Sequence, residues 1–518
     1  MPTTHATLRP LRSPRGTLVV VCVALATVVS AVASLNVALP SVARDTHATQ
    51  TELSWVIDAY ALTFAALLLP GGALGDRYGR RRTLLAGLVV FGLGSAAAMA
   101  YADAHWLIAM RAVLGVGAAL VMPATLSTIT STFAPELRAR AVGTWAGVAG
   151  ASAILGLLTS GLVLHFWSWR AVFALSTVLA VAAVAGTLLA VPESADPDAP
   201  AIDWVGAAVT VAGLGVLVYS IIEAPTAGWA SGRTVGGLVV GLVVLGLFVF
   251  WERRAAHPLL DPRLFGRAGF SAGALTISAQ FFAFFGFIFI VLQYLQLVLG
   301  QGPLEAALRM LPLAVGMMPS ARVIAPRLAS RLPTTRVSAA GLVVVAAGFA
   351  WLSRLDADTS YWQLAVALVV LGLGMGLAMT PATSAITDAL PAEQQGVGSA
   401  MNDLARELGG ALGIAVLGSI LQSAYRTHLE LPGAPGTVVD RARASLALAT
   451  QLGPEAAARG RAAFVDGLQT SLLVAAGLLV VAAVAVAVVG RRASAVNPAP
   501  DAAPAPRAAV APGDSRSR

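Results

Sequence analysis

Two ionisable residues stand inside runs that are otherwise apolar. Asp58 lies in Trp55-Val56-Ile57-Asp58-Ala59-Tyr60, and Arg111 opens Arg111-Ala112-Val113-Leu114-Gly115-Val116-Gly117. A charge at depth in a bilayer costs ~2.5–3.5 kcal/mol on insertion scales and is a functional candidate by default. Each sits about five residues, or ~7.5 Å at 1.5 Å per residue, inside the same end of its run. A carboxyl group in a dry bundle takes up or releases a proton as its surroundings change, and a neighbouring Arg holds it ionised. Asp58 and Arg111 are therefore candidates for a proton-coupling pair, expected to approach within salt-bridge or one-water distance. Two plainer readings stay open. Arg111 can snorkel to nearby headgroups, and Asp58 can be an acid near a helix start close to water.

Two further clusters carry charge in an ordered spacing. Gly72-Ala73-Leu74-Gly75-Asp76-Arg77-Tyr78-Gly79-Arg80-Arg81-Arg82 reads as a glycine-permitted turn with an acid and a basic cluster. Asp76, Arg77, Gly79 and Arg80 are the candidates for a gate, since Asp76 can begin a helix or pair across a moving interface. Asn402-Asp403-Leu404-Ala405-Arg406-Glu407-Leu408-Gly409-Gly410 continues to Gly413. Asn402, Arg406 and Gly410 share a helix face, and Asp403 reaches Arg406 at i+3. Gly409, Gly410 and Gly413 let another helix approach closely. These charges read as lying near the membrane interface, which makes Asp403 and Arg406 gate candidates as well. Asn36, Tyr60, Gln293, Gln296 and Asn402 are the candidates to line a substrate cavity; a polar patch on a packed helix explains Gln293, Tyr294 and Gln296 equally well.

The elements that position these residues follow from composition. Of 518 residues, 57% are hydrophobic and 12% charged, about half the charge of a soluble domain. A water-soluble fold has no way to hide that much apolar side chain, whereas a bilayer removes the need. A window of about 20 apolar residues finds Thr17–Leu39, Leu53–Ala73, Thr83–Tyr101, Trp106–Thr132, Ala141–Leu164, Ala171–Val191 and Trp204–Ile222. It continues with Thr234–Trp251, Phe270–Leu299, the proline-broken Leu304–Leu328, the short Val337–Leu352, Trp362–Thr387, Val397–Gln422 and Leu468–Val489. The expected fold is all-α and polytopic, with about 14 transmembrane helices.

Basic residues fall on alternate connections: Arg77 and Arg80 to Arg82, Arg138 and Arg140, Arg253, Arg254, Arg263 and Arg267, then Arg327, Arg331 and Arg336, and last Arg491 and Arg492. The positive-inside rule places these connections and both termini in the cytoplasm. The net charge of +8 thus reflects membrane topology, and no nucleic acid is expected. The basic stretch Arg9, Arg12 and Arg15 precedes a run too long for a signal peptide, so an uncleaved first span is expected. Glu193, Asp196, Asp198 and Asp203 make one connection acidic. The Glu193–Pro200 linker and the tail from Ala493 read as solvated and disordered.

An internal repeat divides the chain. Leu114-Gly115-Val116-Gly117 through Met122-Pro123-Ala124-Thr125 is matched, 257 residues on, by Leu371-Gly372-Leu373-Gly374 and Met379-Thr380-Pro381-Ala382-Thr383. Asp76-Arg77 is echoed more weakly near Arg331. The expectation is two pseudo-symmetric six-helix bundles, residues 17–191 and 269–490, with two extra helices between them in 192–268 and tails at 1–16 and 491–518.

The loop Gly72–Arg82 resembles the signature loop of the major facilitator superfamily, G-x-L-a-D-r-x-G-r-r, and the likeness runs from about Val19 to Val489. The string from Arg111 to Ala119 resembles that family's R-x-x-x-G-x-G-a-A motif, whose Arg is implicated in proton coupling. Acid in a W-V-x-D-x-Y string is typical of its fourteen-span drug:proton antiporter branch, and Asn402–Gly413 closely follows that branch. Two pieces depart. Ala31 and Ala33 stand where the first span would carry an acid and a hydroxyl. In the fifth span Gly156 remains, Leu157 replaces the motif proline and Ser160-Gly161 stand for its last glycines.

The resemblance implies a proton-driven exporter of lipophilic drugs or antibiotics that works by alternating access, as a monomer in the plasma membrane. A dedicated exporter of one endogenous product is the alternative. The chain contains no Lys, so no G-x-x-x-x-G-K loop exists and ATP is not expected to drive it. A membrane-embedded lipid-modifying enzyme would need a cluster of catalytic side chains at the interface, but the 6 His are scattered. Cys22 stands alone, which excludes an intrachain disulfide. No cofactor is implied.

Overall fold

A computed structural model describes residues 13–196, 201–356, 359–391 and 395–496. The tail before Ser13 with Arg9 and Arg12, Asp198 and Pro200 of the acidic linker, and the tail after Val496 lie outside the described residues. Among those described, 14 helices are long and apolar enough to cross a membrane. They are Pro14–Thr46, Gln50–Tyr78, Arg80–Ala98, Ala104–Thr132, Pro135–Phe166, Arg170–Ala190, Trp204–Ala227 and Gly232–Glu252. The ninth, Ala268–Gln293, runs on through a π turn, Tyr294–Val298. The eleventh to fourteenth are Thr334–Leu352, Tyr361–Asp388, Gln395–His428 and Pro454–Val496. No strand occurs among the described residues.

Local chemistry sets several ends. Thr49 and Glu52 form a capping box at the second helix, while Asp103, Asp203 and Ser231 cap the fourth, seventh and eighth. The tenth span, Pro303–Ala329, is broken where its prolines remove backbone donors. It breaks at Met310, ahead of Pro312, and passes through a π turn, Ser320–Ile324, directly after Pro319. The last helix begins at Pro454, ahead of the expected Leu468, and stays helical to Val496, so the tail expected from residue 491 starts later.

The two copies of the glycine motif pack alike. A Cβ on Gly115 would strike the Tyr60 carbonyl of the second helix at 2.6 Å, and one on Gly372 would strike the Leu313 carbonyl of the tenth. Two residues on, Gly117 faces the Gly87 carbonyl of the third helix at 2.8 Å and Gly374 the Gly341 carbonyl of the eleventh at 2.9 Å. Each fourth-position helix thus lies backbone to backbone against the helices two and one before it.

The seventh helix packs on the second and the thirteenth, and the eighth packs on the seventh. The eighth turns Val239, Val240, Leu242, Val243 and Leu247 outward. Three bonds fasten the seventh-eighth hairpin to both halves: Trp55 Nε1 to Glu223 Oε1 at 3.3 Å, Ser419 Oγ to the Ile221 carbonyl at 2.8 Å, and Trp229 Nε1 to Ser423 Oγ at 2.9 Å.

One end of the bundle carries Asp76, Arg80 and Glu252 and is called here the basic face; the other is the far face. The far face is shut. Gln296 Nε2 donates to the Val37 carbonyl at 3.0 Å, joining the ninth helix to the first, and Gly161 of the fifth rests on Pro303 and Leu304 of the tenth. The connection between the last two spans is largely helical: Gly436–Ala444 and Leu446–Ala449 lie over this end, and Ser445 Oγ donates to the Ala48 carbonyl at 3.3 Å. The basic face is open.

Candidate functional site

The opening on the basic face is a vestibule of about 660 Å³. One wall carries Leu68, Gly72, Asp76 and Arg80, and the opposite wall Val397, Ala400 and Asp403. Two loops supply a third wall: Ala201-Ile202 and Ala256–Leu260. The vestibule meets a smaller central cavity of about 110 Å³, and Met122 lines both. No residue of the seventh or eighth helix lines the central cavity.

The central cavity is apolar except at one place. Phe281, Phe284 and Phe285 of the ninth helix stack at centroid distances of 5.5–6.2 Å. Val29, Val32 and Ala33 come from the first helix, Phe64 from the second and Met310 from the tenth. The charged lining residues are Arg406 and Glu407 of the thirteenth. Arg406 lies over the Phe281 ring at 5.0 Å and pairs with Asp403 at 3.6 Å. The thirteenth helix can come this close because Gly409 and Gly413 face the Ser278 and Phe282 carbonyls, where a Cβ would not fit. The cavity can hold an apolar or aromatic body (three phenyl rings) with a cationic or donor group (one carboxylate).

Glu407 was not among the sequence candidates. The string Asn402–Gly413 showed it, but its charges were read as interfacial. The helix begins at Gln395, so Arg406 stands ~16 Å along it at 1.5 Å per residue. That depth belongs to a cavity. Asp403, one turn earlier, lines the vestibule instead.

Asp58 and Arg111 are both buried, at 0% and 1% exposure, yet they are not paired. Arg111 Nε donates to the Val56 carbonyl at 2.9 Å, and its guanidinium covers the Tyr60 ring at 4.3 Å. Val56 and Tyr60 are one turn apart. Asp58 is about 200° round the helix from Val56, on the stripe of Trp55 and Leu62. Those two pack on Val218, Ile221 and Ile222 of the seventh helix and Ala415 of the thirteenth. Neither Asp58 oxygen has a hydrogen-bond donor. The expected pairing is therefore corrected: Arg111 of the fourth helix meets the Val56–Tyr60 face of the second, and Asp58 lies on its opposite face.

The five residues expected to line a substrate cavity do not line the central one. Asn36 donates to the Val32 carbonyl and Gln293 to the Phe289 carbonyl, both within their own helices. Gln296 closes the far face. Tyr60 donates to the Val28 carbonyl and lies within the electrostatic reach of both Arg111 and Glu407. Asn402 keeps a buried carbonyl oxygen without a donor. The first helix has Ala31 where an acid was expected, and the carboxylate that faces the cavity comes from the thirteenth.

The loop Gly72–Arg82 is bonded within its own half. Asp76 Oδ1 pairs with Arg80 at 2.8 Å. Gly79 adopts φ +113°, and a Cβ there would collide at 2.7 Å with the Glu193 carboxylate. That carboxylate accepts the Arg81 N–H at 3.1 Å and pairs with Arg82 at 3.6 Å. Ser194 accepts the Arg80 N–H, and Asp76 accepts the Asp196 N–H, both at 2.8 Å. The described part of the acidic linker is thus a structural partner of the loop rather than a solvated spacer. Arg77 is exposed beside Tyr78. In this arrangement Asp76 bonds to Arg80 of its own loop and to Asp196 of the linker.

Helices, duplicated packing and a cavity between two bundles define a small-molecule membrane transporter. The profile of the Major Facilitator Superfamily matches residues 19–414, and the chain belongs to that family. It is 34% identical to the methyl viologen resistance protein SmvA of Salmonella typhimurium over 84% of this chain and 88% of the relative. To the multidrug efflux pump LfrA of Mycolicibacterium smegmatis it is 35% identical over 88% and 92%. To the puromycin resistance protein of Streptomyces alboniger it is 34% identical over 82% and 85%. Among solved structures, the peptide transporter-family protein PepTSo aligns with a TM-score of 0.65 at 15% identity, covering 93% of this chain and 99% of that one. A bacterial homologue of the human lysosomal transporter Spinster, inward-facing and unoccupied, aligns with a TM-score of 0.63 at 16% identity over 94% and 98%.

Proposed function

We propose that the chain exports lipophilic drugs or antibiotics from the basic face to the far face, driven by protons, as the halves 17–191 and 269–490 rock about the central cavity. Basic connections put the basic face and both termini in the cytoplasm. The shut far face and open basic face then correspond to the inward-facing state, ready to load. The chain works as a monomer and without ATP. The relatives support the substrate class, since their names record methyl viologen resistance, multidrug efflux and puromycin resistance.

The observation that carries this reading is a single carboxylate, Glu407, facing a phenylalanine-lined cavity reached from the vestibule past Met122. Substrate and proton compete for Glu407. A cationic or donor-bearing substrate displaces the proton, which passes one turn along the helix to Asp403 and the vestibule. Arg406 lies between the two acids and holds whichever is ionised. Tyr60 and Arg111 extend this electrostatic contact into the amino-terminal half. Asp76, Arg77, Gly79 and Arg80 form the cytoplasmic gate.

A dedicated exporter of one endogenous product is the second reading. Ala31 in the first span favours it, because the missing acid leaves fewer carboxylates to hold many different cations.

The test is proteoliposomes with an imposed pH gradient and a panel of lipophilic drugs. Glu407→Gln is expected to reduce gradient-driven export to the passive level while drug exchange persists. Asp58→Asn, at a residue that does not line the cavity, is expected to retain substrate affinity. Full pH-dependent export by Glu407→Gln would overturn the reading.

A further inference from the structure

The seventh and eighth helices end on the basic face in a contact that the transport reading does not use. Asp203 caps the seventh: its Oδ1 accepts the Gly206 N–H at 2.8 Å and its Oδ2 the indole N–H of Trp251 at 2.7 Å. Glu252, the last residue of the eighth, is 1% exposed. Its Oε2 accepts the Leu260 N–H at 3.1 Å. Its Oε1 receives no N–H or hydroxyl donor and faces the same side of Gly206 as Asp203 Oδ2. A Cβ on Gly206 would touch both groups at once, Glu252 Oε1 and, at 2.8 Å, Asp203 Oδ2. Only glycine leaves room for the two carboxyls to meet.

Two carboxylates brought together beside Gly206, one buried and one half-buried, repel each other, and one shared proton turns the repulsion into an O–H···O bond. No cation relieves the repulsion here. Arg254 stacks on Phe250 at 3.6 Å, Arg253 is exposed, and His257 and Asp261 lie in the following loop. From the second, third and thirteenth helices, Asp76, Arg80 and Asp403 face the same vestibule, and Arg80 and Arg406 are engaged with Asp76 and Asp403. None of these bonds to Asp203 or Glu252 among the described residues.

We infer that Asp203 and Glu252 bind one proton between them, forming a clip that holds Ala256–Leu260 as a movable wall of the vestibule. The Leu260 N–H bond transmits the state of the clip to the loop. When the shared proton leaves at higher pH, the carboxylates separate and the wall swings away from the entrance. The two extra helices are then a proton-sensitive part of the entrance, separate from the cavity acid. Only the consequence for transport rests on the vestibule being the route of the substrate; the clip itself is testable without transport.

The experiment uses the full chain in detergent, with Cys22→Ser and Ala256→Cys, labelled by a water-soluble maleimide from acid to alkaline pH. Labelling is normalised to Thr437→Cys on the far face, which removes the thiol's own titration. The normalised rate is expected to rise roughly tenfold with pH, as for a tenfold gain in the open population. Glu252→Gln, whose amide donates to Asp203 without a shared proton, should stay slow and flat with pH. Glu252→Ala should label fast at every pH and raise the KM for drug while leaving the maximal rate near that of the parent. A pH-dependent rate that survives in Glu252→Gln overturns the shared proton. Slow labelling of Glu252→Ala at all pH overturns the clip. If Glu252→Ala does not accumulate, the Glu252→Gln profile decides alone.

Discussion

The fourth and twelfth helices are copies of one packing solution, but they carry different chemistry. Gly115 and Gly372 each admit a neighbouring carbonyl where a Cβ would collide, and Gly117 and Gly374 do the same one helix further round. At the same offset of 257 residues, Arg111 corresponds to Leu368, which is buried without any charge. The fifth and thirteenth helices reverse the bias. Arg406 and Glu407 line the cavity, and the offset places Ala149 and Gly150 opposite them. Backbone contact is the same in both halves because no side chain can be added there. Charge is not fixed by that packing: the acid that faces the cavity, Glu407, comes from one half alone.

Four substitutions sharpen or break this comparison. Gly115→Val and Gly372→Val should each destabilise the fold by about 3 kcal/mol, the upper end for overpacking, because the new side chain meets backbone rather than a flexible side chain. Thermal unfolding in detergent measures it. A chain that tolerates one and not the other shows that the two helices are not packed alike. Arg111→Leu installs the residue its copy already has. Losing one hydrogen bond and one ring contact is offset by removing a buried charge, so stability should stay within about 1 kcal/mol while driven export falls. A much larger loss of stability would make Arg111 structural. Gly143→Ala, where a Cβ meets nothing within 4 Å, should change stability by less than about 0.5 kcal/mol. A measurable loss there would mean that glycine matters in these helices for reasons other than close approach.

What could be read from the chain, and what could not, divides along the same line. Fourteen apolar windows, the Gly115–Gly372 repeat and the turn at Gly79 depend on residue type and linear spacing, and the structure places them as spans, close contacts and a positive φ. The Asp58–Arg111 pairing failed on azimuth. Spacing gives depth along a helix, but which face of the second helix meets the fourth depends on Val56 and Tyr60 taking that contact. Glu407 was missed through depth, since the thirteenth helix starts at Gln395 and its charges reach the centre of the bundle. The Asp203–Glu252 contact joins residues at the two ends of a hairpin, and neither short-range spacing nor periodicity brings them together.

The polar part of the far-face seal has a consequence for how the molecule responds to its medium. Gln296 and Ser445 both donate to backbone carbonyls, of Val37 and Ala48, and no formal charge takes part in either bond. Two neutral hydrogen bonds contribute about 2 kcal/mol together, a factor of roughly 30 in a two-state equilibrium. Having no ions to screen, this polar part should hold equally well in dilute and concentrated salt.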